Sequence, residues 1–158
     1  IPDGVFHHGD MLKFDLGRRF DIVTCLFSSI GYMRSLDRLN EAVANMARHV
    51  RPGGLVIVEP WLTPDSWRPG NLWADYIDES DLKVARISVS EFEGRVAILD
   101  FHILIAKDGE VDYFSERHEL ALFTEDEYLA SFREANLDVR FDPEGLMGRG
   151  LYVGKVPG

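Results

Sequence analysis

Residues 7–33 read HHGDMLKFDLGRRFDIVTCLFSSIGYM, and this stretch decides the fold. A short strand is expected over residues 5–8, ending in Gly9-Asp10-Met11. Residues 20–27, FDIVTCLF, form a near-continuous apolar run, the pattern of a parallel strand covered on both faces. That run ends in Ser28-Ser29. Ser35 is suited to cap a helix with Asp37 in its first turn. Leu36, Leu39, Val43, Met46, Ala47 and Val50 then share one helical face. The helix stops at Arg51-Pro52-Gly53-Gly54, because Pro cannot continue it and Gly turns the chain. Residues 55–58 make a second buried strand. Strand, helix and strand at this spacing predict a βαβ unit with a right-handed crossover, hence an α/β fold.

Beyond this unit the pattern changes. Residues 61–80, WLTPDSWRPGNLWADYIDES, have no period and read as a long loop. From 83 to 123 apolar and polar residues alternate, with turns at Glu93-Gly94 and Asp108-Gly109. This predicts an antiparallel meander of about three strands with one buried face. Thr124-Glu125-Asp126-Glu127 is a capping box. It opens a helix with Tyr128, Leu129, Phe132 and Ala135 inward, ending near Asn136. Two last strands are expected, over 137–141 and 151–156.

The chain has 158 residues, 46% of them hydrophobic and 28% charged, within the range of a globular domain with a real core. A formal net charge of -10, with no basic run longer than Arg18-Arg19, argues against nucleic acid or an anionic membrane as partner. No apolar stretch reaches the ~20 residues a bilayer span needs. The lone cysteine, Cys25, rules out an internal disulfide and suits a reducing cytoplasm. Its place in an apolar strand marks it as a buried thiol rather than a nucleophile. The five histidines lack metal-ligand spacing, so no metal site is expected.

Ligands of an open parallel sheet bind at the carboxyl ends of its strands. Those ends are Asp10-Met11, Phe27-Ser28-Ser29 and Glu59-Pro60-Trp61. An aspartate just past a strand can hold an adenine edge, or simply cap a turn. Ser28 and Ser29 offer hydroxyls at the mouth, or cap the next segment. Trp61, Trp67 and Trp73 offer flat apolar walls, or pack a loop. His102 and His118 can reach a ligand from the meander, or serve as ordinary sheet residues.

The motifs GDM, RFDIVTCLFSSIGYM, RPGGLVIVEPW and GRGLYVG together resemble the S-adenosylmethionine (SAM)-dependent sugar N-methyltransferases of deoxyaminosugar biosynthesis, the desosamine and mycaminose type. The resemblance implies a class I methyltransferase Rossmann-like sheet with an inserted antiparallel meander at 83–123. It implies that Asp10 and Met11 bind the adenine of SAM, and that Leu26, Phe27 and Ser28 lie beside its methionine part. Ser29, Tyr32, Trp61 and Arg149 fall toward the sugar nucleotide, with Tyr32 near the reacting amine as the catalytic candidate. A cytoplasmic enzyme working on a small nucleotide-linked aminosugar is the implied setting. The meander has two readings of its own: it covers the active site and shapes the sugar pocket, or it forms the surface of a homodimer, which an exposed apolar face would favour.

Two features of that family are not found ahead of Asp10: a glycine-rich cofactor loop and an acidic residue for the ribose. The chain therefore reads as an N-terminally truncated domain, short of at least two βα units or about 60 residues. Those units would lie between the strand ending at Asp10 and the one ending at Phe27, so unpaired edges and bare apolar faces are expected there. A non-catalytic module that self-associates along those edges is one alternative. A methyltransferase for another small molecule, or another nucleotide-binding α/β enzyme such as an oxidoreductase, are others.

Overall fold

The computed structural model describes residues 4–158. Its elements are β1 (Phe20–Cys25), a 3-10 turn (Ser29–Met33), α1 (Leu36–Arg48), β2 (Val50–Val58), β3 (Leu72–Asp78), β4 (Leu82–Glu93), β5 (Val96–Lys107), β6 (Glu110–Ala121), α2 (Glu125–Glu134), β7 (Asp138–Asp142) and β8 (Leu151–Lys155). They build two four-stranded sheets, one ordered β1-β2-β8-β7 and the other β3-β4-β5-β6.

The first sheet is mixed. β1 and β2 run parallel around α1, and β8 inserts antiparallel between β2 and β7. α1 starts where Ser35 accepts the backbone N–H of Arg38 at 3.3 Å. Its buried face is Leu39, Ala42, Val43, Asn45 and Met46. Leu36 belongs on that face by spacing but is 40% exposed; it is the first residue of the helix, ahead of the buried run that begins at Leu39. The strand after it starts at Val50, earlier than 55, and runs through Pro52-Gly53-Gly54. Gly54 is required there: a Cβ would stand 2.5 Å from the Asp21 carbonyl oxygen. α2 opens with the expected capping box between Thr124 and Glu127. It buries Tyr128 and Phe132 against Tyr152 of β8, and burying each such side chain contributes about 1.5–3 kcal/mol. Gly154 of β8 leaves room for Phe132, whose ring would lie 2.6 Å from a Cβ there.

Two expectations near the chain start need correction. Residues 5–8 form no strand, and Val5 and Phe6 are 72% and 86% exposed. A strand needs a ladder partner for its backbone groups, and none of the described residues lies alongside. β1 is not covered on both faces either. Ile22 is 52% exposed and Thr24 is also exposed, whereas Cys25 is buried. Among the described residues β1 pairs with β2 alone, and its Val23 and Cys25 are the side chains that pack into the core.

The second sheet is a meander in which every neighbour is antiparallel. It has one strand more than expected: β3 lies inside the stretch read as a loop. Its cross-strand partner secures it, with Asp75 facing Arg86 and accepting from Nε at 3.1 Å and Nη2 at 2.5 Å.

Candidate active site

The site grows from the ends of β1 and β2. Past Cys25 the chain passes Leu26 and enters two consecutive left-handed residues, Phe27 at φ 53° and Ser28 at φ 59°. Neither is glycine, and each such residue costs about 1–2 kcal/mol. Glu59, the first residue after β2, lies across from them and is 1% exposed. Its backbone N–H donates to the Cys25 carbonyl at 2.9 Å. Its Oε2 accepts the Phe27 N–H at 2.7 Å. Its Oε1 is buried with no partner among the described residues. The Phe27 ring is 77% exposed at the mouth.

Ser28 is 2% exposed. Its hydroxyl donates to the Pro60 carbonyl at 2.8 Å and accepts from Nη1 of Arg149 at 3.1 Å. The Ser29 hydroxyl donates to the Leu26 carbonyl at 2.8 Å, closing the corner. The 3-10 turn then lies tight against β6. A Cβ at Gly31 would come 2.8 Å from the Leu120 side chain.

That turn carries Tyr32, and β6 carries His118. The Tyr32 hydroxyl is 2.5 Å from His118 Nδ1, and His118 Nε2 is 3.3 Å from Glu116 Oε2. A carboxylate can only accept, so the Nε2 hydrogen bond places the ring hydrogen on Nε2 and leaves Nδ1 to accept the Tyr32 O–H. Burial, followed by the charge of Glu116, pushes the Tyr32 hydroxyl above the ordinary tyrosine range. Phe101 meets the His118 ring edge-on at a centroid distance of 5.1 Å. Arg34, just past the turn, pairs with Glu119 at 2.8 Å and ties the turn to β6.

Phe101 also borders a cleft of about 390 Å³ between the meander and the 61–73 segment. Trp61, Trp67 and Trp73 line it together with Arg68, Arg86 and Arg149. Arg149 comes from the loop between β7 and β8, and its guanidinium lies 5.0 Å over the Trp61 ring. Trp61 and Trp67 pack at 6.1 Å. The tryptophans thus meet both readings: Trp67 is buried, and Trp73 is 67% exposed.

The structure brings Leu26, Phe27, Ser28, Ser29, Trp61 and Arg149 into one linked corner and sets Tyr32 beside it. Asp10 and Met11 join more loosely. Asp10 is exposed and caps a turn, its Oδ1 accepting the Leu12 N–H at 2.9 Å. Met11 reaches the corner through its sulfur, 4.0 Å from Cys25 Sγ. Burial raises the Cys25 thiol to about 11, which suits a packing role. Among the described residues no group of three or more His, Cys, Asp or Glu could hold a metal ion. No helix among them is long and apolar enough to cross a membrane.

Sequence reasoning left His118 undecided and passed over Glu116, Phe101 and Arg86. A signal for them existed. The Asp108-Gly109 turn sets Lys107 opposite Glu110, and counting outward puts Phe101 opposite Glu116 and Leu99 opposite His118.

No protein-family model matches the chain. Over 158 residues it is 43% identical to the dTDP-3-amino-3,6-dideoxy-alpha-D-glucopyranose N,N-dimethyltransferase of Streptomyces fradiae, covering 99% of this chain and 62% of that protein. The crystal structure of DesVI from Streptomyces venezuelae matches with a TM-score of 0.93 at 42% identity, covering 100% of this chain and 67% of that one. The chain belongs to the sugar N-methyltransferase family. A SAM-bound structure of CalS10, an amino pentose methyltransferase from Micromonospora echinaspora, matches at a TM-score of 0.83 and 37% identity, covering 93% of this chain and 62% of that one. The chain spans 62–65% of the length of the curated sugar N-methyltransferases it matches. The expected class I methyltransferase fold with its antiparallel meander therefore stands.

Proposed function

We propose that this chain is the acceptor-binding part of a SAM-dependent N-methyltransferase domain that methylates the amino group of a nucleotide-linked deoxyaminosugar. The meander is the insertion that shapes the sugar-nucleotide pocket. The observation that carries this reading is the Tyr32–His118 pair, set between the corner at the end of β1 and a cleft walled by tryptophans and arginines. The relatives' names supply the substrate class: each curated relative is a dTDP-aminosugar N,N-dimethyltransferase.

The residues present suit SAM. Leu26 and the exposed Phe27 ring offer an apolar wall, Asp10 offers a carboxylate toward an adenine, and Met11 sits beside the same corner. The buried Glu59 Oε1, without a partner among the described residues, suits a neighbourhood that receives a cation. When bound, SAM supplies an electrophilic methyl group on a sulfonium.

The chain's own residues then have two tasks. The first is alignment, since an in-line displacement gains mostly from holding the reactants at attack distance and excluding water. Trp61 and Trp73 present faces for a base or sugar ring, with the buried Trp67 packed against Trp61. Arg149, stacked and hydrogen-bonded, meets the anionic nucleotide with Arg68 and Arg86 nearby. The second task is the proton. An amine attacks only when neutral, so an acceptor beside it helps even if it is a weak base. Tyr32 donates its hydrogen to His118, which leaves its oxygen lone pairs free to accept an amine N–H. Glu116 steadies the imidazolium that forms when His118 takes a proton.

The test is direct. The complete purified protein is incubated with SAM and a dTDP-linked aminosugar, and the product is read by mass spectrometry. Methylated sugar nucleotide, with SAM binding by calorimetry, bears the reading out. SAM binding without transfer to any aminosugar would move the substrate to another small molecule. No SAM binding would leave a non-catalytic module.

We further propose a homodimer through the outer face of the meander. That face carries Leu72, Tyr76, Ile87, Leu104, Val111 and Tyr113, which are 44–75% exposed. By register these residues share the face turned away from the cleft, and a cluster of exposed apolar side chains is the kind of surface that pairs with another protein.

A further inference from the structure

We infer that Glu59 is a positioning residue whose buried carboxylate locks the Phe27–Ser28 corner in its left-handed form. The inference deepens the functional reading and rests on it for the consequence that this corner borders SAM. Three observations carry it. Two adjacent non-glycine residues hold φ values of 53° and 59°, a conformation that L side chains oppose. Among the described residues the side chain that bonds the Phe27 N–H is Glu59, at 2.7 Å and 1% exposed. Burying a carboxylate is costly unless it is paired or hydrogen-bonded; the Phe27 N–H supplies the hydrogen bond its side-chain oxygens have among the described residues, and Oε1 has no partner there.

The same corner is held from its other side. Ser28 donates to Pro60, the neighbour of Glu59, and accepts from Arg149. Glu59-Pro60 thus grips both left-handed residues, one through a side-chain carboxylate and the other through a backbone carbonyl. Without the Phe27 bond the pair relaxes toward negative φ. Leu26 to Ser28 then lose the shape that faces the cofactor, while Tyr32 and His118 stay joined through the 3-10 turn and β6. The loss therefore falls on SAM binding and not on the chemical step.

Glu59→Ala, Glu59→Gln, Phe27→Gly and the double variant Glu59→Ala/Phe27→Gly are compared with the wild type in the complete protein. Glu59→Ala raises KM for SAM about tenfold, the size expected from freeing one left-handed residue, with kcat within about threefold. Glu59→Gln keeps an acceptor oxygen and recovers most of that loss. Glycine takes positive φ freely, so the Glu59→Ala change costs less in the Phe27→Gly background than alone. The Phe27 amide exchanges slowly in the wild type and fast in Glu59→Ala. An unchanged KM for SAM in Glu59→Ala overturns the proposal. So does equal cost in both backgrounds, because Glu59 would then act other than through the corner. A wild type that binds no SAM but still protects the Phe27 amide overturns the functional reading and leaves the lock standing.

Discussion

The Tyr32 hydroxyl and His118 Nδ1 are 2.5 Å apart although 86 residues separate them in the chain. One residue comes from the turn after β1 and the other from β6, so the contact joins the two sheets at the site. Tyr32→Phe removes the bridging oxygen and leaves the ring in place. We expect kcat to fall about tenfold to a hundredfold, the lower range for a lost proton-handling group, with SAM affinity nearly unchanged. Steady-state kinetics against both substrates checks this, and unaltered turnover would remove Tyr32 from the mechanism.

Arg149 is bound to Ser28 and stacked on Trp61. A planar guanidinium does both at once, and an ammonium does not. Arg149→Lys keeps the charge yet is expected to raise KM for the sugar nucleotide about tenfold, losing roughly 1.4 kcal/mol of binding. KM for SAM should move much less. Equal changes in both constants would show that Arg149 supports the whole corner and does not read the nucleotide.

Glu127 sits in the capping box and pairs with Arg95 at 2.8 Å and 2.5 Å. The Arg95 hydrogen bonds hold its carboxyl below the ordinary glutamate range. A depressed folded pKa gives stability that is present above the unfolded pKa and is lost as pH falls through the folded one. Arg95 is half exposed, so the pair itself is worth about 0.5–1 kcal/mol after screening. Denaturant unfolding of Glu127→Gln should show a deficit of that order at pH 7. The gap to wild type should narrow on acidification below the ordinary glutamate range.

Gly154 is wedged under Phe132, with Leu137 3.1 Å from where its Cβ would stand. Gly154→Ala should destabilise the first sheet by about 1–3 kcal/mol through overpacking. Thermal melts would show it, and Gly70→Ala offers a contrast, since nothing lies within 4 Å of a Cβ there and any cost arises from its φ of 81°.

Ile87→Asp plants a charge in the middle of the outer meander face. If two copies meet there, size-exclusion with light scattering should show a shift from dimer to monomer. A wild type already monomeric at working concentrations would discard the dimer.

The parts of the fold that could be read early were those in which local chemistry and tertiary role agree. Thr124 and Glu127 cap α2 by contacts within four residues, and Asp108-Gly109 turns β5 into β6 without outside help. What escaped depended on partners. β3 is masked by Asp75, Asp78 and its flanking loop, and becomes a strand because Arg86 and its neighbours on β4 pair with it. Residues 5–8 have strand composition and no neighbour to ladder with among the described residues. Ile22 looks like a core residue until the face it occupies is found uncovered. At the site, Ser28 and Arg149 were both identified, but not their mutual bond across 121 residues. His118 stayed ambiguous because its role is set by Tyr32 and Glu116, and not by anything adjacent to it in sequence.

β8 occupies an interior place in the first sheet, between β2 and β7. Without residues 151–155, β2 and β7 would have no strand between them, Tyr128 and Phe132 would lack the Tyr152 surface they close on, and Arg149 would have no fixed footing from which to reach Ser28. A chain lacking that strand could still zip the meander, whose four strands pair only with one another among the described residues, while the candidate cleft would lose the anchored Arg149 from its wall.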